Sequence, residues 1–491
     1  MGRYKQAVAL TLAVCMSGTA AGCGSSAGST SGDEEIVIQV LENDTAKQEG
    51  YLDELLRAFN EAYADKNIKA VDANLGEYTD LVTNGPDGYG PDVLYQANDQ
   101  ITEFAEQKAV YPIEAEKLDC YDLIAKQAWD AMKVHVDGKE YYCGIPVDVQ
   151  EPVIFYRADK MPQNWENEWD DDKNGVADFF ENWCDLYAFS KQLRDTDTSA
   201  NKDSQYGLMS SLYKSYENLE FLLSYGAYTF AVTGDGTYDT SDIGLAEKDA
   251  AKGLGALRQF AELMDEGCVD DTIIKNRYAK LAAGTYFCAV STPNTYQLFI
   301  DKLQSQYEES EGLSADEALK KAKENLKMAV LPEKFPADGN LSQESSAVTD
   351  WVDTVAMGGI GAYAVSAYTQ HKDAAMLFIE FATNYDMVEK RQKMLGIIPV
   401  RSDFEETLDG TTRDVYENLN SDRIYIMPSV KELNQVWTPL ETTLSDVAND
   451  PFRVRKGDAA KYDTEEKRQA ALESVDQSIY DAIYTLSDGE E

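Results

Sequence analysis

Residues 36–75 read IVIQVLENDTAKQEGYLDELLRAFNEAYADKNIKAVDANL, and this stretch decides the fold class. Ile36–Leu41 is a largely apolar run of strand length. Residues 51–64 place leucine and aromatic side chains at helical spacing on one face. Residues 68–75 have the length and residue types of a second strand. A strand, a helix and a strand in this order predict a parallel sheet covered by helices, which defines an α/β fold.

The same alternation continues along the chain. Gly90, Pro91 and Asp92 form a turn signal, and residues 93–95 follow as a third strand. Residues 286–290 predict another strand, and residues 340–350 predict a polar loop. Helical periodicity predicts helices over 250–264, 314–326, 374–383 and 466–486. At 491 residues, the chain is long enough for two or more domains with cores of their own.

The composition disfavours several classes of function. Acidic side chains number 88 against 44 basic ones, for a net charge of −44, so nucleic acids and anionic lipid surfaces would repel the protein. The histidines are His135 and His371, which argues against His-dependent catalytic triads and HExxH metalloenzymes. The single GxSxG match, at residues 24–28, lies in the polar segment that precedes the first predicted strand, and the sequence lacks GxxxxGK[ST] and GxGxxG motifs. We interpret the charge as a means of keeping a surface protein soluble.

The first residues have the features of an export signal. Arg3 and Lys5 precede an apolar run over 7–16 that is too short to span a bilayer. Cys23 follows Ala-Ala-Gly in a segment that resembles the cleavage box of bacterial lipoproteins, although Ala20 replaces the commoner leucine. We therefore predict a signal peptide over 1–22, lipidation of Cys23 and a flexible tether over 23–35. The alternative is an ordinary secretory signal with an incidental cysteine.

The other cysteines of the mature chain are scattered, without a CxxC pair. We expect most of them to be small core residues rather than zinc or redox ligands. They are Cys120, Cys143, Cys184, Cys268 and Cys288.

Short motifs occur in a characteristic order over most of the mature chain. They are residues 90–93 with Asp99, 145–147 leading to 155–160, 236–239 with 242–244, 283–285 ahead of Pro293, 361–366, and 427–428 followed by Trp437. This order resembles that of the maltose/maltodextrin-binding proteins of ABC importers. The resemblance implies a periplasmic-binding-protein-like fold with two α/β lobes, a sugar in the cleft between them and hinge closure around it.

The resemblance also implies limits for the lobes. One lobe would comprise residues 35–148 and 361–406, and the other residues 151–359 and 407–491. The bound oligosaccharide, a maltodextrin, would pass to the permease subunits of an ABC importer at the extracellular face of the membrane.

A neutral oligosaccharide needs aromatic rings for its C–H faces and acceptors for its hydroxyl groups. Eight residues are candidates for these roles by the resemblance. Two of them, Gln150 and Glu151, are neighbours, and either could match the family's acid near the first crossing segment. The eight residues are Glu42, Asp44, Asp99, Gln150, Glu151, Tyr216, Tyr296 and Trp437.

The chain also departs from the family pattern near these positions. Asn294 replaces a tryptophan that often follows the strand-terminal proline, and we expect the nearby Tyr296 to substitute for it. Gln100 replaces a basic residue, and Gln96 replaces an aromatic one. These differences argue against maltose itself more than against a longer or differently linked oligosaccharide.

Residues 170–181 read DDDKNGVADFFE, which fits the calcium-loop pattern D-x-[DN]-x-[DN]-G-x5-E at every defined position. This prediction rests on the residues alone. Calcium takes six to eight oxygen ligands. Side chains of five residues and one backbone carbonyl would supply them, from Asp170, Asp172, Asn174, Val176 (carbonyl), Asp178 and Glu181. We expect a structural Ca²⁺ ion, and the alternative is a solvated acidic loop before a helix.

Two other functions remain open from the sequence. A secreted glycoside hydrolase would need two carboxylates at a defined separation, which a sequence does not show. The same fold could also bind a non-sugar solute such as a peptide. Incubation with oligosaccharides separates binding from hydrolysis.

Overall fold

The structure is a computed structural model that describes residues 35–485, except 77–79, 203, 235, 409 and 422. The predicted signal peptide, Cys23 and the tether up to residue 34 lie outside the described residues.

The strands are short, apart from one of ten residues. They are β1 (Ile36–Leu41), β2 (Ile68–Asp72), β3 (Val93–Ala97), β4 (Lys133–Val136), β5 (Lys139–Tyr142), β6 (Ile145–Gln150), β7 (Val153–Arg157), β8 (Tyr206–Met209), β9 (Ala231–Val232), β10 (Tyr238–Asp239), β11 (Tyr286–Ser291), β12 (Leu326–Val330), β13 (Lys334–Pro336), β14 (Trp351–Asp353), β15 (Ala356–Val365), β16 (Ile398–Pro399) and β17 (Ile424–Ile426).

Helices separate most of these strands. They are α1 (Asp44–Gln48), α2 (Tyr51–Ala62), α3 (Leu81–Asn84), α4 (Asn98–Glu106), α5 (Lys126–Asp130), α6 (Trp165–Glu168), α7 (Trp183–Thr196), α8 (Ser215–Asn218), α9 (Glu220–Leu223), α10 (Ala250–Ala261), α11 (Thr272–Ala283), α12 (Tyr296–Glu311), α13 (Ala315–Asn325), α14 (Lys372–Ala382), α15 (Tyr385–Leu395), α16 (Gly410–Leu419), α17 (Asn434–Arg455) and α18 (Glu465–Tyr484).

The elements predicted from periodicity are present, with ends that differ by a few residues. The α2 face formed by Leu52, Leu55, Leu56 and Phe59 is buried, as its spacing predicts. Residues 340–350 form a loop that contains one short 3-10 turn at Ser345–Ala347. Local patterning therefore predicts these elements well, since each needs only one apolar face.

Two main sheets organise the fold. The larger sheet has the order β16-β6-β15-β3-β1-β2, with β17 paired to β15. The smaller sheet has the order β12-β7-β11-β8. Strands β3, β1 and β2 are parallel, as predicted, but β15 runs antiparallel to both β3 and β6. The predicted parallel arrangement therefore holds for β1, β2 and β3, and β15 joins them in the opposite direction as the chain returns from the smaller sheet.

The chain passes between the two sheets at defined points. It leaves the larger sheet after β6 and enters the smaller sheet at β7, through Glu151 and Pro152. It returns to the larger sheet at β15, directly after the β13–β14 hairpin. The C-terminal helices α17 and α18 pack against α10. The two sheets are therefore joined by extended segments.

A buried ion-pair network ties the larger sheet together. The Arg391 guanidinium, on α15, donates to both carboxylate oxygens of Glu42, over 2.6 and 3.2 Å. Its Nε lies 3.7 Å from Oδ2 of Asp148, at the end of β6. The side chains of all three residues have no exposed surface. A buried cation is tolerated only with such partners, because an unpaired charge loses its hydration without compensation.

Tyrosine hydroxyls complete this network. Tyr363 on β15 donates to Glu42, and Tyr95 on β3 donates to Asp148 over 2.6 Å. The Arg391 guanidinium also lies over the Tyr95 ring, 3.8 Å from its centroid. The network thus contacts residues on β3, β6 and β15 as well as α15.

Replacement of Arg391 by methionine should strongly destabilise the protein. The change leaves Glu42 and Asp148 buried without their cation, which costs about 3–5 kcal/mol for a broken buried pair. Denaturant unfolding of the variant and the wild-type protein measures the loss. The matched control is Arg57→Met, which removes exposed ion pairs with Glu54 and Glu61 and should leave the midpoint nearly unchanged. Equal midpoints for Arg391→Met and the wild-type protein would contradict the stabilising role of the network.

Candidate ligand-binding cavity

A cavity of about 470 Å³ lies where elements of both sheets meet. The larger sheet contributes residues of β3, β6 and β15, and the segment after the smaller sheet's β11 contributes Asn294. Helices α4, α8 and α17 supply further walls. Its lining residues are mostly polar or aromatic: Asn43, Tyr95, Gln96, Ala97, Asp99, Gln100, Gln150, Lys214, Ser215, Tyr216, Asn294, Gly359, Ile360, Gly361, Met427, Trp437 and Glu441.

Aromatic side chains line the cavity from two helices. Trp437 lies in the first turn of α17 and is half-buried. Tyr216 lies on α8, and its hydroxyl donates to the carbonyl oxygen of Gln150 over 3.0 Å. Burial raises the pKa of the Tyr216 hydroxyl far above its usual range, so the group stays neutral. Two ring systems are therefore available to the apolar face of a ligand.

Carboxylates and amides provide the polar part of the wall. Asp99 lies in the first turn of α4, and burial is the main cause of the raised pKa of its carboxyl, with a smaller contribution from Glu103. Lys214 and Glu441 form an ion pair, with 3.3 Å between Nζ and Oε1. Asn43 follows β1 and caps α1 through its side-chain oxygen. These groups can accept and donate hydrogen bonds to a polyhydroxylated ligand.

Asn98 holds the cavity floor in place. This fully buried residue donates to the carbonyl oxygen of Met427 and accepts from the backbone amide of Ile360, each over 3.0 Å. Gly361 lies beside them on β15, where an added Cβ would come within 2.7 Å of Oδ1 of Asp148. The floor consequently needs a glycine at this position, since the backbone approaches the side chains of the ion-pair network too closely for any other residue.

The structure brings together half of the residues predicted for the ligand site. Asp99, Gln150, Tyr216 and Trp437 all line the cavity. Gln96 and Gln100, which replace family residues, also line it. The departures from the family pattern therefore lie on the cavity wall itself.

The remaining predicted ligand residues lie elsewhere. Glu42 is fully buried in the Arg391 network, and Asp44 is exposed at the start of α1. Glu151 is 2% exposed and accepts from the amide of Asn418 over 3.0 Å. Tyr296 begins α12 and packs near Phe155, with 6.5 Å between ring centroids. The structure places these four residues outside the lining of this cavity, so their assignment to the ligand site stays a prediction.

Several lining residues were missed by the sequence reasoning. Lys214 precedes Tyr216 by two positions, and Glu441 follows Trp437 by four, which is one turn of α17. Helical spacing from the predicted aromatic residues could have identified Glu441. Met427 belongs to a motif of the resemblance but was given no ligand role, and Asn43 carried no signal, because its place depends on how distant segments meet.

The residues predicted to bind calcium lie between α6 and α7, apart from this cavity. The predicted core cysteines are free thiols, and Cys143, Cys184, Cys268 and Cys288 are buried whereas Cys120 is half-buried. In the part of the chain that the structure describes, we find no helix that is both long and apolar enough to span a membrane.

Two sheets joined by crossing segments, with a cavity lined by the larger sheet and by segments that follow strands of the smaller one, define a two-lobed binding protein. Residues 54–415 match the family described as bacterial extracellular solute-binding protein. The match covers most of the chain, so the protein belongs to this family. The resemblance to sugar-binding proteins of this class is thereby confirmed at the level of the family.

Comparison with known proteins agrees with this assignment. The chain is 24% identical over 449 residues to the galactooligosaccharide-binding protein of Bacillus subtilis strain 168, covering 90% of each sequence. The solved structure of the maltose-binding periplasmic protein MalE from Listeria monocytogenes, in complex with maltose, has a TM-score of 0.64 at 19% identity. That match covers 92% of this chain and 98% of the other.

A third relative has the same architecture. The crystal structure of MalX from Streptococcus pneumoniae, in complex with maltopentaose, has a TM-score of 0.66 at 18% identity and covers 91% of this chain and 100% of the other. The two structural matches establish the two-lobed α/β fold, which confirms the fold class predicted from the sequence.

Glu151 should make stability depend on pH. Burial raises the pKa of its carboxyl to about 8, Asp414 adds to the shift, and Asn418 and Arg423 oppose it. An unfolded glutamate titrates at about pH 4.3, so between these values the folded state holds a proton that the unfolded state releases. The stability that Glu151 contributes is complete below about pH 4.3 and is lost as the pH rises through about 8.

Denaturant midpoints measured at about pH 6 and about pH 9 test this. We expect the wild-type protein to lose more stability between these two pH values than Glu151→Gln, which cannot ionise. The exposed Glu116→Gln serves as the matched control and should follow the wild-type protein. Parallel pH profiles for Glu151→Gln and the wild-type protein would refute the buried, protonated carboxyl.

Proposed function

We propose that this protein captures a neutral oligosaccharide in the cavity and delivers it to an ABC importer. The observation that carries the proposal is the combination of Trp437 and Tyr216 with the polar groups of Asp99 and Gln150 in one cavity. The C–H faces of sugar rings stack on aromatic rings, and sugar hydroxyl groups pair with carboxylates and amides. A cavity with both kinds of group suits this class of ligand.

The charges on the wall favour a neutral ligand over an anionic one. Lys214 is already paired with Glu441, over 3.3 Å. Of the charged lining residues, Asp99 then remains, and its carboxyl would repel an anion. The net charge of −44 acts in the same direction.

Two series of oligosaccharide fit the proposal. The motif order along the chain resembles maltodextrin-binding proteins, and the two solved structures compared above hold maltose and maltopentaose. The relative from Bacillus subtilis is named for galactooligosaccharides. We place maltodextrin first because the resemblance rests on several motifs in order, and we treat galactooligosaccharide as the alternative.

Calorimetry with the purified protein tests the ligand class. Maltotetraose, a galactotetraose and a tetrapeptide are titrated separately, and each mixture is then checked for shorter products. Saturable binding of one sugar series without cleavage is the expected result. Binding of the peptide alone would overturn the sugar proposal, and release of shorter sugars would indicate the glycoside hydrolase that the sequence left open.

The transport role follows from the two-lobed fold. We take residues 35–148 with 361–406 as one lobe and 151–359 with 407–491 as the other. Ligand contacts from both lobes would stabilise a closed form, and the permease subunits would recognise that form. The protein would act at the extracellular face of the membrane, held there by a lipid on Cys23.

Replacement of Trp437 by alanine should weaken oligosaccharide binding by about 1–3 kcal/mol, because a stacking surface is lost. Trp437→Phe keeps an aromatic face and should retain more affinity. The control is Trp351→Ala, which removes a half-buried tryptophan of β14 outside the cavity. Calorimetry with the bound sugar measures all three variants. An unchanged affinity in Trp437→Ala would remove this residue from the site.

Replacement of Cys23 by serine should release the protein from the membrane. Without the thiol no lipid is attached, and the acidic chain has little affinity for anionic lipid. Detergent-phase partitioning of the expressed full chain measures the effect, with Cys120→Ser as the matched control. If Cys23→Ser stays in the detergent phase as the wild-type protein does, the lipid anchor is not at this residue.

A further inference from the structure

The loop over residues 170–181 lies between α6 and α7, outside the proposed sugar site. Its first residue, Asp170, is unusual for an acidic side chain because it is 4% exposed and its Oδ1 has no hydrogen-bond partner. A buried carboxylate oxygen without a donor is costly. This oxygen therefore lacks a positively polarised partner, and a cation would supply one.

The backbone of the loop already turns at two defined points. Lys173 and Gly175 adopt the left-handed conformation, with φ of 62° and 87°. The amide of Asn174 donates to Oδ1 of Asp172 over 3.1 Å, and the amide of Val176 donates to Oδ1 of Asn174 over 2.7 Å. These hydrogen bonds hold the side chains of Asp172 and Asn174 against the backbone of the loop.

Residues far apart in the loop already meet through one donor. The side-chain amide of Asn174 donates to Oε1 of Glu181 over 2.6 Å and to Oδ2 of Asp172 over 3.2 Å. An amide N–H group thus lies between two carboxylates. A hard cation prefers the same acceptors and would replace this weaker donor.

We infer that this loop binds one Ca²⁺ ion through Asp170, Asp172, Asn174, the Val176 carbonyl, Asp178 and Glu181. The inference combines the unpartnered carboxylate of Asp170 with a match to the calcium-loop pattern at every defined position. Calcium fits better than magnesium, because carboxylate, amide and carbonyl oxygens at flexible geometry suit the larger ion.

Binding requires a local rearrangement. Within the described residues, no three acidic, histidine or cysteine side chains are arranged to hold a metal ion. Oxygens of Asp178 now accept from the backbone amide of Asp171, over 3.2 and 3.3 Å. Rotation of the Asp178 side chain away from this amide, together with closure of Glu181, completes the ligand set.

The ion would act on the structure around the loop. Asn174, Val176 and Glu181 line a cavity of about 540 Å³ together with Trp165 and Phe180. The backbone amide of Asp178 donates to the carbonyl oxygen of Trp169 over 2.7 Å, and α7 begins soon after the loop. Calcium would therefore fix the entry to α7 and the wall of this cavity, which makes its role structural.

Terbium luminescence excited through tryptophan tests the site on the purified protein, because Trp165 and Trp169 flank the loop. The protein is stripped with EDTA and titrated with Tb³⁺, and Ca²⁺ is then used to displace the lanthanide. We expect one saturable site, with a Ca²⁺ Kd of about 1 mM or tighter, the range of extracellular modules. Mg²⁺ at the same concentration should displace much less terbium.

Single variants distinguish a specific calcium site from nonspecific binding of cations by acidic surface residues. Asp170→Asn and Glu181→Gln should each weaken Ca²⁺ binding about tenfold or more, because each removes a charged ligand. Asp171→Asn removes the same charge from the neighbouring position, which the pattern does not use, and should retain nearly wild-type affinity. The melting temperature should rise with Ca²⁺ in the wild-type protein and in Asp171→Asn, but not in the two ligand variants.

Several results would overturn the inference. They are the absence of saturable terbium binding, an equal loss of affinity in all three variants, or identical wild-type melting in EDTA and in millimolar Ca²⁺. If Asp170→Asn does not fold, Glu181→Gln and the wild-type melting comparison decide the question. None of these outcomes depends on sugar binding, so the calcium site and the proposed function stand or fall separately.

Discussion

The larger sheet depends on the positively charged guanidinium of Arg391, which is buried away from water. Arg391 pairs with Glu42 at the end of β1 and approaches Asp148 on β6. Both acids are more than two hundred positions away from Arg391 along the chain. Strands that enter one sheet from separate parts of a sequence pay a large entropy cost before any contact forms. If one of these strands is displaced, a buried charge in the network loses its partner. Partly formed sheets are therefore much less stable than the complete sheet.

The same network supports the candidate ligand site. Tyr95 donates to Asp148 with its hydroxyl group, and its ring lies against Arg391 while another part of the residue lines the cavity. Gly361 leaves space for this contact on the neighbouring strand. The floor of the cavity is therefore as rigid as the ion-pair network beneath it. The aromatic walls come from α8 and α17, and the Tyr216 hydroxyl joins α8 to the larger sheet through the carbonyl oxygen of Gln150.

The sequence predicts this fold well where the signal is local. The amphipathic face of α2 and the apolar run of β1 each follow from one stretch of residues. The antiparallel entry of β15 could not be predicted from its own residues, since all ten are buried and such a run fits either direction. Strand direction there is set by the path of the chain through the smaller sheet.

The sequence predicted residues of the candidate site only where the type of residue indicates its surroundings in the fold. Trp437 and Tyr216 were predicted because the family resemblance places aromatic residues at these two positions. The partner of Glu42 could not be predicted, because an acid after a strand looks the same whether it faces a ligand or a buried arginine 349 positions away. Only the three-dimensional structure distinguishes these cases.

The crossing between the sheets contains a buried acid in surroundings that differ from those of the Arg391 network. Glu151 lies at this crossing and is as deeply buried as Glu42, but its hydrogen-bond partner is the neutral amide of Asn418. Because burial raises the pKa of Glu151 to about 8, its carboxyl keeps its proton at neutral pH and needs no cation. The larger sheet is thus held by a charged network around Arg391, whereas the crossing is held by the neutral contact between Glu151 and Asn418. A neutral carboxyl with an amide partner avoids the cost that an unpaired buried charge at this crossing would carry.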